Sequence, residues 1–318
     1  IVFHKKLFNN QWATSVDFSA NDSLFVVAGG RASSVVFNAE GGDETTLSDA
    51  SGSYESFSKF SPNGKYVLHD DNFTVQLVRL SDNKRLLTID SISMFTEQRF
   101  SPDGAYIITG GSNKVKIWSV ATQELIQSVT VGTAYPHTIE MSSDSKYFLC
   151  FDNNESLLQV WETVSGKLVT TLSDINYAGF TANKNELKLI YANGKIVTTP
   201  IVNVEETIVT KLNEPGKGIE FHFVSNEILV VHSGDNIRIH NLLSGGTVLK
   251  LKGNEITYGK SGKYLYVLTD DALEVYTLPQ VKLAYKHFVT GNTDFLVQDN
   301  FGRYDGTEAA RKMLYFVC

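Results

Sequence analysis

The segments Phe60-Ser-Pro-Asn-Gly-Lys-Tyr66 and Phe100-Ser-Pro-Asp-Gly-Ala-Tyr106 are near copies standing 40 residues apart. A fixed period of that length constrains a fold strongly, because each copy is one supersecondary unit that must bury its apolar faces against its neighbours. Weaker copies keep the register at Phe18-Ser-Ala-Asn-Asp-Ser-Leu24, Met141-Ser-Ser-Asp-Ser-Lys-Tyr147, Phe180-Thr-Ala-Asn-Lys-Asn-Glu186, Phe223-Val-Ser-Asn-Glu-Ile228 and Tyr258-Gly-Lys-Ser-Gly-Lys-Tyr264. The seven anchors Phe18, Phe60, Phe100, Met141, Phe180, Phe223 and Tyr258 are spaced by 42, 40, 41, 39, 43 and 35 residues.

Each unit reads as four short strands. In the third, Glu97–Phe100 runs into the Ser-Pro-Asp-Gly turn. Tyr106–Thr109 is an apolar run suited to burial on both faces. Lys114–Trp118 alternates as a half-buried strand, and Glu124–Thr130 is the fourth. Four antiparallel strands in about 40 residues is the pattern of a β-propeller blade. The expected fold is therefore all-β: a seven-bladed, alternatively eight-bladed, β-propeller of four-stranded antiparallel blades over residues 1–290. A short C-terminal extension follows over 291–318. Eight blades stay open because Val2–Phe8 reads as a strand before the first unit, while the seventh unit owns a fourth strand at Val281–Phe288. In the extension, Asp294–Gln298 reads as a strand, and Thr307 as the N-cap of a short helix.

Trp118-Ser119 and Trp161-Glu162 stand where the WD40 repeat family carries its Trp-Asp pair, and on them and the period the chain resembles that family. The family's Gly-His pair is not clear in any unit. The resemblance implies a protein-binding scaffold. The stretch Phe301-Gly-Arg-Tyr-Asp-Gly-Thr-Glu-Ala-Ala resembles a junction in bacterial multidomain proteins where WD40-type repeats meet a caspase-like cysteine protease domain. It rests mostly on Tyr304-Asp-Gly-Thr307. That resemblance implies a larger protein whose protease the repeats would position or regulate. Cys318 lacks the context of a nucleophile.

Composition narrows the function. With 28 Lys+Arg against 35 Asp+Glu in 318 residues the net charge is -7. No long basic cluster exists, so no nucleic-acid surface is expected. No apolar run reaches 18 residues, so no direct membrane insertion is expected. Cys150 and Cys318 cannot make a disulfide framework. The chain starts at Ile1 and is expected to be processed or part of a longer protein. A cytoplasmic location is expected, with export left open for the same reason.

The chemistry-bearing residues point away from catalysis. No Gly-x-Ser-x-Gly elbow or phosphate-binding Gly-x-x-x-x-Gly-Lys-Ser/Thr loop occurs. The Asp and Asn residues at Asp70-Asp71, Asn113, Asp152, Asn193, Asp235 and Asp270-Asp271 sit between second and third strands, where turn chemistry accounts for them. The seven histidines include His222, His232 and His240 in the sixth unit, without the further ligands a metal centre needs. Asp17, Glu97, Glu140 and Glu220 on first strands could face an axial channel. This chain is accordingly expected to be no enzyme and to hold no cofactor or metal. A channel-based ligand binder or hydrolase, and a structural subunit of a larger assembly, are the alternatives.

One column of residues points to a partner. Six positions before each anchor stand Trp12, Tyr54, Met94, Tyr135, Asp174, Lys217 and Lys252. An aromatic arc on the first four blades adjoins a polar arc on the rest, with Phe95 and Tyr177 beside it. Large rings within a polar rim are the composition of protein interface cores. Trp12, Tyr54, Met94, Phe95, Tyr135 and Tyr177 are thus the expected contacts for a protein or peptide on one propeller face. If the register is right, Phe100→Ala costs about 3–5 kcal/mol of stability in denaturant unfolding, and a neutral result contradicts it.

Overall fold

The structure, a computed structural model, describes residues 13–21, 23–29, 32–38, 44–47, 57–70, 74–90, 97–111, 113–132, 138–152, 154–181, 186–202, 206–212, 219–225, 227–258, 263–290 and 294–312. These residues form seven antiparallel sheets, and the fold class is the all-β propeller with seven blades. Blade 1 is β1 (Ala13–Phe18), β2 (Leu24–Gly29), β3 (Ala32–Asn38) and β4 (Glu44–Thr46). Blade 2 is β5 (Phe57–Phe60), β6 (Tyr66–Asp70), β7 (Thr74–Arg79) and β8 (Lys84–Asp90). Blade 3 is β9 (Glu97–Phe100), β10 (Tyr106–Gly111), β11 (Lys114–Ser119) and β12 (Leu125–Thr130). Blade 4 is β13 (Thr138–Met141), β14 (Tyr147–Asp152), β15 (Leu157–Glu162) and β16 (Leu168–Leu172). Blade 5 is β17 (Ile175–Phe180), β18 (Glu186–Tyr191), β19 (Lys195–Pro200) and β20 (Thr207–Lys211). Blade 6 is β21 (Glu220–Phe223), β22 (Ile228–Ser233), β23 (Asn236–Asn241) and β24 (Gly246–Lys252).

Blade 7 is β25 (Glu255–Tyr258), β26 (Tyr264–Leu268), β27 (Leu273–Thr277) and β28 (Lys282–Val289). Its sheet continues into β29 (Phe295–Asp299) and β30 (Tyr304–Gly306), followed by the one-turn helix α1 (Glu308–Arg311). Among the described residues the blades number seven, and blade 7 supplies its own fourth strand. Val2–Phe8 lies outside the described residues. The chain forms two compact units: Ile1–Tyr191 with Val197–Thr207, and Ala192–Ile196 with Ile208–Cys318.

The repeated Phe-Ser-Pro-Asp-Gly segment is a hydrogen-bonded clasp between the first and second strands. Ser61 Oγ donates to Asn63 Oδ1 at 2.8 Å and accepts the Tyr66 N–H at 3.0 Å. Ser101 repeats this with Asp103 and Tyr106 at 2.6 and 2.9 Å. Ser142 does so with Asp144 and Tyr147 at 2.9 and 3.0 Å, and Ser19 with Asn21 and Leu24 at 2.8 and 3.0 Å. The fourth turn position is left-handed, at φ 67° in Gly64, 72° in Gly104 and 61° in Ser145. Only glycine enters that region without a steric cost.

The second strands are buried on both faces, and the two faces serve different neighbours. In β14, Phe148 and Cys150 pack with Ile108, Val115 and Ile117 of blade 3. Leu149 and Phe151 point the other way, onto Ala178, Leu187 and Leu189 of blade 5. Similar clusters join blade 1 to blade 2 and blade 2 to blade 3. In the second unit one joins blade 6 to blade 7. The hydrophobic core is a series of inter-blade layers. The anchors belong to them: Phe60 lies among blade 1 residues, Phe100 among those of blade 2 and Met141 among those of blade 3. Phe18, with no blade before it in chain order, is 45% exposed. Tyr258 is equally exposed, and Ile256 packs in the blade 6–7 layer instead.

First strands are sheet edges with bare N–H groups, and the preceding blade covers some of them. The Ser58 N–H donates to Ser15 Oγ at 3.1 Å and the Phe60 N–H to Asp17 Oδ2 at 2.8 Å, so alternate residues of β1 cap alternate residues of β5. Three blades on, the Phe180 N–H donates to Glu140 Oε1 at 3.2 Å.

Two measurements test the clasp. Ser101→Ala removes the acceptor of the Tyr106 N–H and is expected to cost about 1–3 kcal/mol in denaturant unfolding. Desolvation works against ionisation of Asp103, but hydrogen bonds from Ser101, the Ala105 N–H and Ser145 outweigh it and hold the carboxyl below its ordinary range. A lowered folded pKa gives stability that is present above the unfolded value, about 3.9, and is lost as pH falls through the folded one. Asp103→Asn, which copies Asn63, should flatten the acid limb of the stability profile below about pH 4, and an unchanged limb contradicts this.

Candidate functional site

Of the six residues expected to meet a partner, Trp12, Tyr54, Met94, Phe95 and Tyr135 lie outside the described residues. Tyr177 is described. In β17 and β18 the register runs Ile175↔Tyr191 and then Tyr177↔Ile190, so Asn176 is an inserted bulge residue. A bulge re-aims the side chain that follows it. The half-buried Tyr177 ring lies down over Gly179, where an added Cβ would come 2.7 Å from the phenol oxygen. Only a residue without a side chain leaves that space. Lys188, paired with Gly179, shares the face and is buried. Desolvation pulls its ammonium pKa down, while Glu186 opposes the shift. β1 enters with a similar irregularity between Ala13 and Ser15.

Two residues of the polar arc, Asp174 and Lys252, are described. Asp174 is exposed with φ 60°, and Lys252 pairs with Asp235 at 2.5 Å. Lys217 lies outside the described residues. Asp152 accepts the Asn154 N–H at 2.8 Å, Asn193 the Lys195 N–H at 2.9 Å, and Asp270 the Asn254 amide at 2.8 Å. The first two are the turn roles that Asp and Asn favour, while the third joins residues 16 apart in sequence. Asp70 differs: it is buried and accepts from Gln98 Nε2 at 2.5 Å, tying blade 2 to blade 3. Blades 1 and 2 share a buried set in which Ser34 and Ser58 Oγ lie 2.9 and 3.1 Å from His69 Nδ1.

Of the four first-strand acids, the side chain of Glu97 lies outside those described. Asp17 and Glu140 hold backbone N–H groups of the next blade, as described above. The carboxylate of Glu220 lies 3.5 Å from both His222 Nε2 and His232 Nδ1. Among the described residues no three His, Cys, Asp or Glu side chains are grouped to hold a metal ion. Burial pushes the Cys150 thiol pKa up, which keeps it an unreactive core residue.

One site was missed by sequence reasoning. In the second unit a cleft of about 290 Å³ lies between Thr210–Leu212 at the end of β20 and the face of β23 and β24. Lys211, Arg238, His240 and Lys250 line it. The local signal is the alternation Asn236-Ile-Arg-Ile-His240, which puts Arg238 and His240 on one side of a strand whose isoleucines are buried. The cross-strand partner Lys250 and the neighbouring Lys211 become visible only once register and blade order are known.

Residues 87–119 match the family described as WD domain, G-beta repeat. That segment runs from the outer strand β8 through β9 and β10 to the end of β11, closing on Trp118-Ser119. It contains one full Ser-Pro-Asp-Gly clasp and the Trp118 Nε1 hydrogen bond to Thr109 Oγ1 at 3.2 Å. The repeat match and the seven four-stranded blades together support a WD40-like propeller. A comparison with curated proteins found no match.

Proposed function

We propose that this chain is a non-enzymatic scaffold that holds a protein or peptide partner on one propeller face. The observation that carries the reading is the way consecutive blades are fastened. Apolar layers bind the first strands of blades 2 to 5 and of blade 7 to the blade before, and side chains of the preceding blade cap backbone donors of β5 and β17. A preorganised surface loses little conformational entropy on binding. The contacts would be Trp12, Tyr54, Met94, Phe95, Tyr135 and Tyr177, rigid rings and a thioether of the kind that anchor interfaces. The tail around Tyr304-Asp-Gly-Thr307 extends this reading to a caspase-like domain as one partner that the propeller would position.

The test is affinity capture from the native source with the wild-type chain and with Tyr54→Ala/Tyr135→Ala. The double variant is expected to lose the polypeptides that the wild type retains, with a melting temperature within about 2 °C. A large fall in melting temperature would show that these rings are core and would sink the interface reading. Retention of the same partners by a stable double variant would do so equally.

A further inference from the structure

We draw no further inference here: the strongest candidate, the surface patch of exposed apolar side chains at Leu125 and Ile126 in β12 and at Val164 and Leu168 in blade 4, where the Gln127 side chain donates to the Ser165 carbonyl and holds the two blades together, carries nothing because nothing in the structure shows what covers it.

Discussion

A four-stranded antiparallel blade has two apolar faces and two bare edges, and it cannot satisfy both alone. In this chain the faces are answered by neighbouring blades. Phe148 and Cys150 of β14 turn to blade 3, while Leu149 and Phe151 turn to blade 5. The first-strand edge is answered in the same direction. Ser15 and Asp17 of one blade take the Ser58 and Phe60 N–H groups of the next, and Glu140 takes that of Phe180. Removing such a carboxylate would leave a backbone donor without its acceptor, which is why a few polar contacts matter in an interface made mostly of aliphatic side chains.

The repeat was legible because its clasp is built from local chemistry. A serine, an Asp or Asn two residues on, and a left-handed residue after that make a turn whose hydrogen bonds close within six residues. Sequence shows such a device directly. The both-face burial of β10 was also visible as an unbroken apolar run. What the sequence left open depended on long-range pairing. The eight-blade alternative rested on a strand near the N-terminus. That segment lies outside the described residues, whose strands form seven blades, the last extended beyond β28 by the β29–β30 hairpin. The Tyr-Asp-Gly-Thr segment of that hairpin has a packing role. A Cβ at Gly306 would collide with the Phe295 carbonyl, and Thr307 Oγ1 donates to Asp294 at 2.8 Å.

Sites were harder to read than the fold. The first-strand acids looked like channel groups from alternation alone, yet Asp17 and Glu140 serve as backbone caps. The difference lies in which strand approaches the edge, and that is set by blade stacking rather than by the acid's own strand. The basic cleft escaped for a similar reason. Arg238 and Lys250 are 12 residues apart in sequence and directly opposed in the sheet. Beside the aromatic arc, Tyr177 shows how one expected contact is held: a bulge turns it, and Gly179 gives the ring a place to lie.

The most direct test of the account is residue-resolved amide hydrogen exchange at Ser58, Phe60 and Phe180. If preceding blades cap these edge donors, the three amides should exchange as slowly as those in the central strands, and Asp17→Ala should release Phe60 while leaving Phe180 protected. Exchange of all three at the rate of exposed loop amides would contradict it, because the blades would then be neighbours without being fastened.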